Sequence, residues 1–238
     1  MPEVQSDVCI CPAGDQGFFI RFGNVISPEI HRRITASVQA LDRSRPPWLV
    51  DCIPTYCTIL ILYDSIKVES PQVREWIEQT LSGAAGLSPE PRLVEIPVWY
   101  DPSVGPDLED LAREKGLSVD QVVAIHTAAE YLVYMLGFKP GFPFMGGLDE
   151  RLWMQRLSTP RLAVAAGSVG IGGRQTGIYS VTSPGGWRIL GRTPLRLFDL
   201  QRENYFLILP GDRVRFFPID EVRYKELLRQ SSGPEPIA

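Results

Sequence analysis

Apolar positions between residues 14 and 100 alternate between two periods. In SPEIHRRITASVQALDRS, residues 27–44, Ile30, Ile34, Val38 and Leu41 recur at helical spacing. Ser27 as N-cap and Pro28 at the first helical position mark where that helix begins. The stretch SPQVREWIEQTLSGA repeats the Ser-Pro start and puts Val73, Trp76, Ile77 and Leu81 on one face. Around these helices lie short apolar runs of strand character: QGFFIRFG, WLVDCIP, CTILILYD and RLVEIPVWY. The order βαββαβ predicts a ferredoxin-like module over residues 1–97.

The pattern then changes. DLEDLAREKG predicts a short helix closed by Gly116, and SVDQVVAIHTAA a second one, with Ser118 and Gln121 as a capping box. Beyond them, AVAAGSVGIGG, TGIYSVTS, GWRILGRTPLRLFD and NYFLILPGDRVRFFPI are strand segments broken by Gly and Pro, the texture of a β-barrel with long loops. DEVRYKELLRQ predicts a closing helix. The expected class is α+β, with an N-terminal α/β domain (1–97), a barrel domain (98–230) and a disordered tail (231–238).

Composition narrows the function. The 238 residues are 44% apolar, enough for a sizeable core, and carry a net charge of −4. No run of five or more Lys or Arg occurs, which argues against nucleic acid or acidic lipid as partner. Residues 107–127 have helix-turn-helix spacing, but the second helix offers no Lys or Arg to attract phosphate. Two helices capping a barrel is the better reading. The first sixteen residues lack the apolar region of a signal peptide, and runs such as TILILY are too short to span a bilayer. A cytoplasmic chain is expected, with no membrane contact. Cys9, Cys11, Cys52 and Cys57 do not have the spacing of a zinc ribbon, so reduced thiols on strands are expected and no metal.

Chemistry concentrates in three Gly-rich stretches: GFKPGFPFMGG, GSVGIGGRQTGIY and SPGGWRILGRTP. None is a nucleotide-binding fingerprint. Gly and Pro set loop shape, while Phe142, Tyr179 and Trp187 supply flat apolar walls. Arg174 is the expected anion or oxyanion binder, because a guanidinium brings charge and forked donors. Gln175, Thr176 and Tyr179 are expected to orient a small-molecule substrate. His126, the only histidine after residue 31, is the candidate for proton transfer. GFKPGF is expected to leave a strand, YLVYMLGF, and cross the barrel mouth.

The signatures IPVWYDPSVGPDLEDLA, IHTAAEYLVYMLGFKPGFPFMGGLD and GSVGIGGRQTGIYSVTSPGGWRILGRTPLRLFD resemble the family of 5-oxoprolinase B-type subunits, also called KipI-like or allophanate hydrolase subunit 1. The resemblance runs from GDQGFFIRFG to about residue 218. It implies a small N-terminal α/β domain and a C-terminal cyclophilin-like β-barrel, similar to half of a urea carboxylase carboxyltransferase domain. It further implies a subunit that opens 5-oxo-L-proline to L-glutamate with ATP as co-substrate. The implied partners are a C-type carboxyltransferase-like subunit and an A-type lactam-hydrolase component. Two alternatives follow from the same family: a non-catalytic inhibitor of a sporulation-type histidine kinase, or a subunit of an allophanate- or urea-related amidohydrolase.

Overall fold

In the computed structural model, residues 8–83 and 91–231 are described, and they fall into two compact units that divide at Glu90/Pro91. The first unit contains β1 (Cys9–Pro12), β2 (Gly17–Arg21), α1 (Pro28–Arg43), β3 (Leu49–Pro54), β4 (Thr58–Tyr63) and α2 (Ser70–Ser82). Its four strands form one antiparallel sheet in the order β1-β2-β4-β3. Strand β4 alternates as a half-buried strand must, with Ile59, Ile61 and Tyr63 turned inward. Helix α1 starts where Ser27 predicts, its Oγ accepting from the Ile30 amide at 3.1 Å. It buries Ile30, Ile34 and Leu41, and α2 adds Val73 and Ile77 to the same core.

The strand order departs from the ferredoxin-like expectation, and the units divide at Glu90/Pro91 where a boundary at residue 97 was expected. Strand β1 occupies the sheet edge that a final strand after α2 would have filled. RLVEIPVWY, expected as that final strand, instead pairs in parallel with a strand more than a hundred residues later.

The second unit consists of β5 (Leu93–Trp99), α3 (Leu108–Lys115), α4 (Val119–Ala128), β6 (Glu130–Leu136), β7 (Pro143–Gly146), β8 (Arg161–Val164), β9 (Ser168–Gly172), β10 (Gln175–Ile178), β11 (Ser183–Gly185), β12 (Arg188–Arg192), β13 (Arg213–Ile219) and α5 (Glu221–Ser231). Seven of the strands close a barrel in the order β10-β7-β6-β13-β5-β12-β9. The closed barrel fits the cyclophilin-like expectation. Strands β8 and β11 form a separate two-stranded flap. The barrel core is filled by Ile96, Val98, Val133, Met145, Ile171, Leu190 and Phe216, among others.

Helices α3 and α4 pack Leu108, Leu111, Ala112 and Val122 onto this core. Gly116 ends α3 at φ +63°, a left-handed position that suits glycine. The Ser118–Gln121 capping box starts α4, with the Ser118 amide donating to Gln121 Oε1 at 2.8 Å. GFKPGF leaves the strand β6, as expected. It is the reversal of a hairpin, because β6 and β7 pair with each other and Gly137 and Phe142 close the turn. Of the tail expected over residues 231–238, Ser231 ends α5 and the rest lies outside the described residues. Among the described residues, no helix is long and apolar enough to cross a membrane.

Candidate functional site

The residues singled out by sequence do not form one pocket. They separate into a polar bridge inside the barrel, an aromatic cluster beneath the flap and a cationic groove at a hairpin tip.

The bridge centres on His126, which α4 inserts among the barrel strands with no exposure to solvent. Its ring stacks on Phe216 at 4.7 Å between centroids. Nδ1 lies 2.7 Å from the Tyr100 hydroxyl, and Nε2 lies 2.9 Å from Thr176 Oγ1. The Thr176 hydroxyl donates its single proton to the Gly170 carbonyl oxygen at 3.1 Å, so it must accept from the imidazole. This assigns the Nε2–H tautomer and leaves Nδ1 to accept from Tyr100. Burial holds the imidazole neutral, pushing its pKa down to about 3. Burial also raises the Tyr100 phenol well above its ordinary value. Tyr100 follows β5 and Thr176 lies on β10, which stand on opposite sides of the seven-strand ring. The His126 ring therefore ties opposite walls together. Both ring nitrogens of His126 are thus engaged by protein groups, Tyr100 and Thr176. Thr176 is buried as well, its hydroxyl placed between His126 and the Gly170 carbonyl.

Phe142, Tyr179 and Trp187 do converge, with Val164 and Ile189. Phe142 meets Tyr179 edge-on at 5.2 Å and Trp187 at 5.3 Å. The glycines of GSVGIGG and RQTGI make room for the indole. A Cβ on Gly172 would lie 2.7 Å from the Trp187 ring, and one on Gly177 would lie 2.9 Å from both Phe142 and Trp187. These aromatics are buried walls packed against one another. Burial raises the Tyr179 phenol, and a backbone hydrogen bond at Trp187 opposes that rise. The hydroxyls of Ser180 and Ser183 are buried here without a hydrogen-bond partner among the described residues. Phe138 stands at the rim, 58% exposed, and is the one non-glycine among the described residues with positive φ, at +62°.

Arg174 stands apart. It is exposed at the tip of the β9–β10 hairpin, its Cζ 4.5 Å from the centre of the Trp153 ring. A cavity of about 320 Å³ opens beside it, bordered also by Lys115, Gln155 and Arg188. Gln175, half-buried, begins β10 opposite Gly172. The Gly-rich stretch is a strand pair, so most of its backbone donors serve the sheet rather than an anion.

Sequence reasoning missed Asp107. It is buried at the start of α3, and its carboxylate takes Arg161 Nη2 at 2.8 Å, with Arg188 Nη1 3.9 Å away. Its partners lie 54 and 81 positions further on, beyond any local pattern. Its place at the N-cap of α3 was the one local signal, although its side chain makes no capping bond there.

Residues 8–208 match the family described as carboxyltransferase domain, subdomain C and D. The chain is 40% identical to the 5-oxoprolinase B-type subunit of Bacillus subtilis (strain 168) over 230 residues, covering 92% of this chain and 96% of that one. It is 45% identical to the 5-oxoprolinase B-type subunit of Escherichia coli O157:H7 over 175 residues, covering 74% of this chain and 80% of that one. The crystal structure of TTHA0988 superposes with a TM-score of 0.78 at 38% identity, covering 93% of this chain and 41% of that one. The chain thus spans about two-fifths of that solved protein. A match over most of the length, joined to a closed barrel of the expected kind, identifies the chain as a member of the carboxyltransferase domain, subdomain C and D, family to which the 5-oxoprolinase B-type subunits belong.

Proposed function

We propose that this chain is the B-type subunit of an ATP-dependent 5-oxoprolinase that opens 5-oxo-L-proline to L-glutamate. The near full-length match to the Bacillus subtilis 5-oxoprolinase chain carries this reading. The remaining length of the TTHA0988 chain is consistent with a second, C-type half that a separate subunit provides here. An A-type subunit would supply lactam hydrolysis.

The reaction joins two events. The lactam oxygen attacks the γ-phosphorus of ATP and ADP leaves. Water then adds to the activated carbon and the C–N bond breaks, giving an amine and an acyl phosphate; a second water releases phosphate and leaves the carboxylate. Inside this barrel both nitrogens of His126 bond to protein groups, Tyr100 and Thr176. The chain's contribution is therefore a binding and positioning surface rather than a proton relay. Exposed Phe138, held at positive φ above Phe142 and Tyr179, favours a face that meets a partner. ATP enters as a co-substrate of the whole complex. Arg174 and the cations beside it are the groups of this chain suited to its phosphates.

Copurification with A- and C-type subunits, followed by phosphate release and glutamate formation on adding 5-oxo-L-proline, tests the reading. Turnover is expected from the assembled complex and not from the chain alone. Robust substrate-dependent ATP hydrolysis by the isolated chain, or an assembled complex inert toward 5-oxo-L-proline, overturns it.

A further inference from the structure

The cavity beside Arg174 has a charge imbalance that the fold itself does not use. Arg174, Lys115 and Arg188 border it against a single carboxylate, Glu114. Among the described residues, neither Arg174 nor Lys115 has an acidic group within 4 Å, whereas Arg92, Arg151, Arg161 and Arg215 of the same unit each have one. Arg188 reaches Asp107 only at 3.9 Å, and that carboxylate already serves Arg161 and the Ile189 amide. The cations are thus left facing the cavity.

The surroundings are built firmly. The Trp153 indole is fixed by its Nε1–H donating to the Leu148 carbonyl at 2.9 Å. Arg174 lies against that ring, where a cation–π contact limits its freedom. The hairpin tip that carries Arg174 is clamped by reciprocal backbone hydrogen bonds between Met154 and Gly173, at 3.2 and 2.8 Å. Gly173 turns the chain at φ +67°, a conformation that other residues rarely adopt. Arg188 is steadied in turn by the Gln155 carbonyl at 3.3 Å. A preorganised guanidinium, a second cation from each neighbouring element and a flat apolar wall together suit a small anion that also carries an apolar body.

We infer that this groove, lined by Arg174, Lys115, Arg188 and Trp153, is a binding site for a small molecule bearing a carboxylate or phosphate group. It is separate from the aromatic cluster beneath the flap. It deepens the oxoprolinase reading and rests on it only in the choice of anions, the carboxylate of 5-oxo-L-proline and inorganic phosphate.

The test is calorimetric titration of the full chain with 5-oxo-L-proline, L-glutamate and inorganic phosphate, and with uncharged 2-pyrrolidone as control. At least one anion is expected to saturate at millimolar concentration while 2-pyrrolidone does not bind. Binding of phosphate alone assigns the site to the phosphate source, and binding of 5-oxo-L-proline alone assigns it to the carboxylate source. Arg174→Ala should weaken binding roughly 10- to 150-fold, the range for loss of a charge-assisted contact. Arg174→Lys should restore little, since an ammonium lacks the forked donors. Lys115→Ala should weaken binding less. Circular dichroism and gel filtration of each variant show that the chain remains folded; both side chains are exposed enough to be removed without opening the core.

Binding of no anion, or binding unchanged in Arg174→Ala and Lys115→Ala, overturns the site. If the assembled complex turns over 5-oxo-L-proline in that case, the subunit reading still stands. Arg174-dependent phosphate binding by a chain whose complex ignores 5-oxo-L-proline keeps the site and sinks the oxoprolinase reading.

Discussion

Asp107 and Ile189 exchange two hydrogen bonds across 82 positions of sequence. The Asp107 amide donates to the Ile189 carbonyl at 3.0 Å, and the Ile189 amide donates to Asp107 Oδ2 at 2.6 Å. Asp107 Oδ1 meanwhile holds Arg161, the first residue of the flap. One buried carboxylate therefore joins helix α3, barrel strand β12 and the flap.

An asparagine at this position keeps the shape but offers one oxygen for two donors. Asp107→Asn should lower unfolding stability by about 2–4 kcal/mol, because a buried amide or a guanidinium loses its acceptor. The denaturant midpoint should fall with an unchanged slope. Removing Arg161 as well should cost less than the sum of the two single changes. A fully additive double variant would show that the pair is not coupled.

The bridge across the barrel makes a second, graded prediction. Thr176→Val keeps the volume but removes the acceptor for His126 Nε2–H and the donor to Gly170, and should cost about 1–3 kcal/mol. His126→Ala also removes the ring stacked on Phe216 and should cost about 3–5 kcal/mol. Chemical denaturation at pH 7.5 checks both. A near-neutral Thr176→Val would show that the bridge contributes little.

Acid should act through the same ring. The folded pKa of His126 is depressed to about 3 from an unfolded value of 6.5. The unfolded chain therefore binds a proton first as pH falls. The stabilisation is complete above pH 6.5 and is lost progressively toward pH 3. Between about pH 6 and pH 4 the loss should approach about 1.4 kcal/mol per pH unit from this residue alone. His126→Phe, which cannot titrate, should show a flatter acid limb when stability is measured at matched pH values. Parallel curves for the two proteins would rule out His126 as the acid-sensitive group.

Trp187 gives an optical reading of strand packing. Gly172→Ala would bring a methyl group within 2.7 Å of the indole, so the ring or the strand must shift. The expected cost is about 1–3 kcal/mol, as for other overpacked cores. Near-ultraviolet circular dichroism should change in the same variant, since the indole leaves its edge-on contact with Phe142. Gly14→Ala is the contrasting change: nothing lies within 4 Å of its Cβ, so only backbone strain at φ +72° should register.

Local signals were the ones legible in the chain. Ser27, the Ser118–Gln121 box and Gly116 act on their own helix ends, and each is found where the sequence puts it. The Gly-rich stretches that carry Phe142, Tyr179 and Trp187 do meet in the fold. What failed was pairing at long range. RLVEIPVWY has the composition of either a sheet edge or a barrel stave, and only its parallel partner at Arg213–Ile219 decides. His126 and Arg174 are likewise separated by the fold. Residue type marked both as chemically able, but α4 points one into the barrel while the β9–β10 turn carries the other out to the surface.

That late pairing bears on how the protein emerges from a ribosome. Strand β13 lies between β5 and β6, so the staves on either side of it are made more than 75 residues before it. Until Arg213–Ile219 has been synthesised, β5 and β6 each present an unpaired edge and the barrel stays open. The first sheet has all its strands by Tyr63 and its second helix by Ser82, and can close while translation continues. Vectorial synthesis therefore leaves one half settled and the other waiting with exposed strand edges, which are sites of misassembly. Arrest of translation before residue 213 should yield nascent chains in which protease cuts the barrel segment and spares the first sheet.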